Sequence, residues 1–128
     1  MIIGIGCDIV ECLRIAQMIE RHGEDFLRRV YTDDEIAYCS SRSQATQEYA
    51  GRWAAKEAIQ QAIEVNASQV VWRDIEIRQE PGGRPRVALA GEPRARCVEL
   101  GVGELKLAIS HCRTHATAYA IALEAYDE

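Results

Sequence analysis

The segment Gln47–Ile63 constrains the fold more than any other stretch. It is rich in Ala, Glu, Gln and Lys and holds no Pro, which predicts the clearest helix in the chain. Before it, Met1–Cys7 is a short apolar run containing Gly4 and Gly6, suited to a buried strand whose backbone is closely approached, with Asp8 at its end. Val10, Leu13, Ile15, Met18 and Ile19 recur at helical spacing, predicting a helix from Val10 to near Arg21 that stops around Gly23. Thr32 and Glu35 match a capping box, so a further helix begins near Asp33, and the polar Ser40–Thr46 reads as a loop.

After the long helix, Asp74–Arg78 alternates with period two, Pro81-Gly82-Gly83 signals a turn, and Arg86–Ala90 returns as the partner strand. Pro93 fits the first turn of a helix running to Leu100, closed by Gly101 and Gly103. Leu105–Ile109 and Thr117–Leu123 read as strands, the second alternating Ala118, Ala120 and Ala122 with Tyr119, Ile121 and Leu123. Helices mostly first and strands mostly last predict an α+β class, an antiparallel sheet packed with helices. With 128 residues and 48% hydrophobic content, 1–128 is expected to be a single domain.

The 20 acidic and 15 basic residues leave a net charge of −5, which argues against nucleic-acid binding by bulk charge and against a polybasic membrane surface. No apolar stretch approaches the ~20 residues of a membrane helix. Any anion must therefore be held locally. Only Lys56 and Lys106 among the basic residues are lysines; the others are arginines, whose forked guanidinium suits phosphate and carboxylate. The five cysteines, Cys7, Cys12, Cys39, Cys97 and Cys112, form no CxxC pair, and the start Met1-Ile2-Ile3-Gly4 leads to the expectation of a chain without a signal peptide. A reduced, cytoplasmic protein with cysteines as small buried hydrophobes is expected. His111-Cys112-Arg113-Thr114-His115 superficially offers metal ligands, without a matching second cluster.

Several residues have both a chemical and a plain structural interpretation. Asp8 at a strand end suits a carboxylate facing a cleft, or a turn or N-cap. On the long helix Arg52 and Lys56 share a face and Glu57 lies about 100° round from Lys56, which presents cations and a carboxylate on adjoining faces or simply a solvated surface. Arg14, Arg21 and Arg28 are spaced for one helical row, but Gly23 interrupts it, leaving Arg14 and Arg21 as a face for an acidic partner or as ordinary surface. Ser110-His111 ends a strand, where His111 fits a satisfied core residue, a metal ligand or a phosphate contact.

Taken in order, Gly4-Ile5-Gly6-Cys7-Asp8-Ile9-Val10-Glu11, Arg14-Ile15, Phe26, Thr32, Glu35, Gly51-Arg52-Trp53-Ala54-Ala55-Lys56-Glu57-Ala58, Asp74-Ile75-Glu76-Ile77, Gly83-Arg84-Pro85 and Ala108-Ile109-Ser110-His111 closely resemble the holo-[acyl-carrier-protein] synthases. These are the short, trimeric class of 4′-phosphopantetheinyl transferases. The resemblance implies transfer of 4′-phosphopantetheine from coenzyme A to a serine of an apo acyl carrier protein in fatty-acid or polyketide synthesis, releasing adenosine 3′,5′-bisphosphate. It implies Mg²⁺ at Asp8 and Glu57, coenzyme A phosphates on Arg52, Lys56 and His111 with Ser110 as a further candidate, and carrier docking on Arg14, Met18 and Arg21. It also implies a homotrimer with active sites between subunits, so that Asp8 and Glu57 can come from different chains.

The chain departs from that pattern after Glu57. Gln61 stands where the family carries a second lysine, Glu64 adds a negative charge, and the following turn has lost its glycines. As a coenzyme A contact Gln61 can donate a hydrogen bond but supplies no charge, so Gln61→Lys is expected to raise the rate. Two alternatives follow: a catalytically impaired or specialised module that binds carrier protein or coenzyme A, and a metal-dependent hydrolase using Asp8, Glu57, His111 and His115.

Overall fold

In the computed structural model, which describes residues 1–126, the chain runs β1 (Ile2–Glu11), α1 (Cys12–His22), α2 (Glu24–Val30), α3 (Asp33–Ser41), α4 (Ala45–Ala62), β2 (Ile75–Gln79), β3 (Pro85–Leu89), α5 (Gly91–Leu100), β4 (Val102–His111) and β5 (His115–Glu124). Residues 127 and 128, the end of the expected domain, lie outside the described residues. Short 3₁₀ turns at Ala67–Gln69 and Trp72–Asp74 join α4 to β2. Two antiparallel sheets result, one of order β1-β5-β4 and one the β2-β3 hairpin. This is the expected α+β class.

The long helix α4 covers one face of the three-stranded sheet. Ala118, Ala120 and Ala122 of β5 point at it and are buried with Ala54, Ala55, Ala58 and Ala62 of the helix. Small side chains on both surfaces let the backbones approach closely. Gly4 and Gly6 of β1 carry that approach furthest, because a Cβ at either would collide with the carbonyl oxygens of Ala62 and Ala58. The opposite face of the same sheet is apolar and uncovered, with Ile5 70%, Ile9 67% and Tyr119 58% exposed.

Several elements differ from the sequence expectation. β1 continues through Asp8 to Glu11, because β5 pairs with it along its length, Asp8 opposite Ala118 and Glu11 opposite His115. Asp8 is thus an internal strand residue and not the N-cap of α1, a position held by Glu11. An additional helix, α2, follows Gly23, whose φ of 53° breaks the chain between α1 and α2 and takes Arg28 out of the Arg14–Arg21 row. The Ser40–Thr46 loop shrinks as α3 reaches Ser41 and α4 starts at Ala45, and Gly103 falls inside β4, leaving Gly101 in the left-handed conformation to close α5. The Thr32–Glu35 capping box and the hairpin form as expected.

Three cysteines, Cys12, Cys39 and Cys97, are buried as expected, whereas Cys7 and Cys112 are exposed. Cys7 is exposed because strand alternation turns it to the uncovered sheet face, and Cys112 because it begins the β4–β5 turn.

If the glycine contact sets the distance between β1 and α4, Gly6→Ala should cost about 1–3 kcal/mol or more. Gly23→Ala, with open space around it but a backbone conformation of φ 53° and ψ −131° that an L side chain rarely adopts, should cost about 1–3 kcal/mol from backbone strain alone. Denaturant midpoints check both values, and a neutral Gly6→Ala would contradict the contact between β1 and α4.

Candidate active site

Because β1 sits backbone to backbone on α4, Asp8, two residues beyond Gly6 and on the same strand face, comes beside Glu57, the helix residue before Ala58. Both are half-buried. Burial is the main cause that pushes the Asp8 carboxyl above its usual range, partly offset by the backbone N–H of Ile9 and the Arg14 charge. Glu57 is pushed up first by burial and then by the negative charge of Asp8, with Arg14 again opposing. The two carboxylates therefore repel one another within one chain, and a neighbouring subunit is not needed to bring them together.

A hard divalent cation fits this donor set. Mg²⁺ takes one or two protein carboxylates and completes its shell with water or phosphate oxygen, and a cation between Asp8 and Glu57 would relieve their repulsion. No group of three or more His, Cys, Asp or Glu capable of holding a metal occurs among the described residues. Asp8, Glu57, His111 and His115 accordingly do not form a hydrolase-like metal cluster.

Lys56, next along the helix, faces the other way. Its ammonium is fully buried and donates to Glu35 Oε1 at 2.7 Å, to the Val30 carbonyl at 2.8 Å and to the carbonyls of Trp72 and Ile75. Burial pulls its pKa down and Glu35 opposes the shift. Glu35 is equally committed, accepting from Thr32 N–H at 2.8 Å and Ile77 N–H at 3.0 Å. With its donors spent on this hub, Lys56 is not a phosphate contact, which corrects the sequence expectation. Lys56 instead locks α4 to α2, α3 and the β2–β3 hairpin.

Arg52, one turn earlier, is buried yet borders a cavity of about 180 Å³ with Tyr38, Glu48, Gln79 and His111. Its guanidinium lies over the Tyr38 ring, 4.5 Å from the centroid, and bonds Glu48 at 3.0 Å, while its Nε has no partner among the described residues. His111 Nδ1 is 2.8 Å from Gln47 Oε1, and its Nε2 is 3.8 Å from Glu48. Arg52 and His111 thus line the same cavity. Ser110 does not join them, because alternation along β4 sends it to the uncovered sheet face opposite Thr117.

The remaining candidates lie on the helical side. Arg14 and Arg21 are exposed on α1, and the half-buried Met18 lines a groove with His22, Phe26 and Arg29. Behind it Phe26, Trp53 and Trp72 stack, with centroids 5.9 and 4.5 Å apart. Gln61, one turn after Glu57, accepts a hydrogen bond from Cys7 N–H at 3.2 Å.

Sequence reasoning missed Glu35 as a buried ion and Glu48, Gln47 and Tyr38 as neighbours of the cavity. Glu48 carried a usable signal, its i,i+4 spacing to Arg52 on a confident helix. Tyr38 and Gln79 reach the cavity only through tertiary packing.

This geometry has close relatives. A model of the 4′-phosphopantetheinyl transferase superfamily matches residues 4–123. The holo-[acyl-carrier-protein] synthase of Rhodopirellula baltica is 42% identical over 120 residues, covering 94% of this chain and 96% of that one. That of Moorella thermoacetica is 42% identical over 123 residues, covering 96% and 95%. The crystal structure of the Helicobacter pylori holo-[acyl-carrier-protein] synthase in complex with coenzyme A superposes with a TM-score of 0.81 at 28% identity, over 93% of this chain and 99% of that one. The chain belongs to the 4′-phosphopantetheinyl transferase superfamily, among its holo-[acyl-carrier-protein] synthases.

The carboxylate pair has a measurable consequence. Both carboxyls hold their protons more tightly in the folded than in the unfolded chain, so stability falls as pH rises through their raised pKa values. Metal-free Glu57→Gln is expected to melt a few degrees above the parent at pH 7, the difference vanishing where both carboxyls are protonated. Equal melting at pH 7 would contradict the repulsion.

Proposed function

We propose that this chain, as one domain over residues 1–128, transfers 4′-phosphopantetheine from coenzyme A to a serine of an apo acyl carrier protein. The observation that carries this reading is the Asp8–Glu57 pair, built by one chain of this superfamily. The serine oxygen forms a bond to the phosphorus that bears pantetheine and gives up its proton to water. The bond from that phosphorus to the bridging oxygen breaks, and adenosine 3′,5′-bisphosphate leaves with the electron pair. Asp8 and Glu57 would hold Mg²⁺, which when bound would supply electrostatic stabilisation for the negative charge on the pyrophosphate oxygens.

The chain's own side chains bind and orient. Arg52 and His111, which line one cavity, hold anionic oxygens of coenzyme A. Gln61 has an amide NH₂ with which to donate to the same ligand. Exposed Arg14 and Arg21, with Met18 between them, dock an acidic carrier helix, and a locally basic helix on an acidic protein steers such a partner to one place. The uncovered face with Ile5, Ile9 and Tyr119 supports a homotrimer in which further copies cover it. In such an assembly Ser110, on that face, reaches coenzyme A only across a subunit boundary. The reaction belongs to fatty-acid or polyketide synthesis in the cytoplasm; no helix among the described residues is long and apolar enough to cross a membrane.

Incubating the protein with coenzyme A, Mg²⁺ and apo carrier proteins from fatty-acid and polyketide systems, read by intact mass, tests the proposal. Addition of phosphopantetheine is expected, with Glu57→Gln slower by about 10²–10³-fold or more. No addition to any carrier at enzyme excess would overturn it, and coenzyme A binding without transfer would favour the non-catalytic module.

A further inference from the structure

We propose that Gln61 is a positioning residue for Asp8, its side-chain carbonyl tying the edge of β1 to the turn of α4 that follows Glu57. The proposal rests on Asp8 and Glu57 forming the cation site. β1 lies at the edge of its sheet, paired only with β5 in the order β1-β5-β4. The Cys7 N–H, immediately before Asp8, donates to Gln61 Oε1 at 3.2 Å. Gln61 lies against the same close contact, since a Cβ on Gly6 would come within 2.9 Å of Gln61 Cβ. Gln61 and Glu57 are one turn apart and share the face that α4 presents to β1.

The bond joins the two carboxylate-bearing elements at the point where Asp8 and Glu57 repel. Without a cation that repulsion acts to part β1 from α4, and the Gln61 clip opposes it, holding Asp8 at the spacing a cation needs. The bond also fixes the amide, because only its oxygen can accept from Cys7 N–H. An ammonium has no acceptor, so a lysine at 61 would add a cation and break the clip. The expectation that Gln61→Lys simply restores a missing charge is revised accordingly.

Gln61→Met keeps the length of the side chain and removes the acceptor, whereas Gln61→Glu keeps an acceptor. Amide exchange at Cys7 in the metal-free protein and Mg²⁺ titration by calorimetry read the consequences separately. In Gln61→Met, Cys7 exchange is expected to accelerate and Mg²⁺ affinity to weaken, each by about three- to ten-fold, while Gln61→Glu retains the Cys7 protection. Unchanged Cys7 exchange in Gln61→Met would overturn the proposal. Faster exchange with unaltered Mg²⁺ affinity would overturn it too, since the bond would then position nothing. A parent protein that binds no Mg²⁺ would overturn the cation site and this proposal with it, a failure recognisable because the exchange difference at Cys7 would persist.

Discussion

The placing of Asp8 beside Glu57 depends on how closely β1 rests on α4. Two glycines on the strand, Gly4 and Gly6, meet helix carbonyls where no side chain would fit, and a stripe of buried alanines on α4 and β5 keeps the rest of the contact shallow. That contact decides where Asp8 stands relative to Glu57. It also leaves the larger apolar residues of β1 on the opposite sheet face, where only a further protein surface can remove them from water.

Two consecutive residues of α4 carry charge to opposite ends. Lys56 turns into the core, where Glu35 and backbone carbonyls surround it, so its charge is compensated and the hub fixes helix against hairpin. Removing either partner would strand a buried ion, an outcome that typically costs about 3–5 kcal/mol. Glu57, about 100° round the helix, turns to Asp8 and is left uncompensated except for the influence of Arg14. A compensated buried pair builds the scaffold and an uncompensated pair is left half-buried beside β1; the helix period separates the two by one residue.

Much of the fold was legible because its signals are local. The capping box at Thr32 and Glu35, the Pro81-Gly82-Gly83 turn and the alternation of Ala118, Ala120 and Ala122 each encode their own element. The extension of β1 through Asp8 was not, because it exists only through pairing with β5, more than a hundred residues away. Among candidate site residues, the family pattern picked out Asp8 with Glu57 and Arg52 with His111, two pairs that the fold brings together. Lys56 was misjudged because a motif gives residue type and helix phase, whereas the acceptors that consume its donors come from four other segments of chain. The arginine excess, the most visible feature of the composition, divides into Arg52 at the cavity, Arg14 beside the carboxylates and Arg21 on the same helix, while others such as Arg73 and Arg78 form surface ion pairs.

The central claim is that one chain supplies both carboxylates of a site. Co-expressing Asp8→Asn and Glu57→Gln chains, so that mixed assemblies form, tests it most directly. Each mixed assembly would then contain intact copies of both carboxylates, but on different chains. The account predicts no recovery of Mg²⁺-dependent phosphopantetheine transfer over either variant alone. Recovery to a sizeable fraction of the parent activity would mean that the pair is assembled across the subunit boundary, and would contradict it.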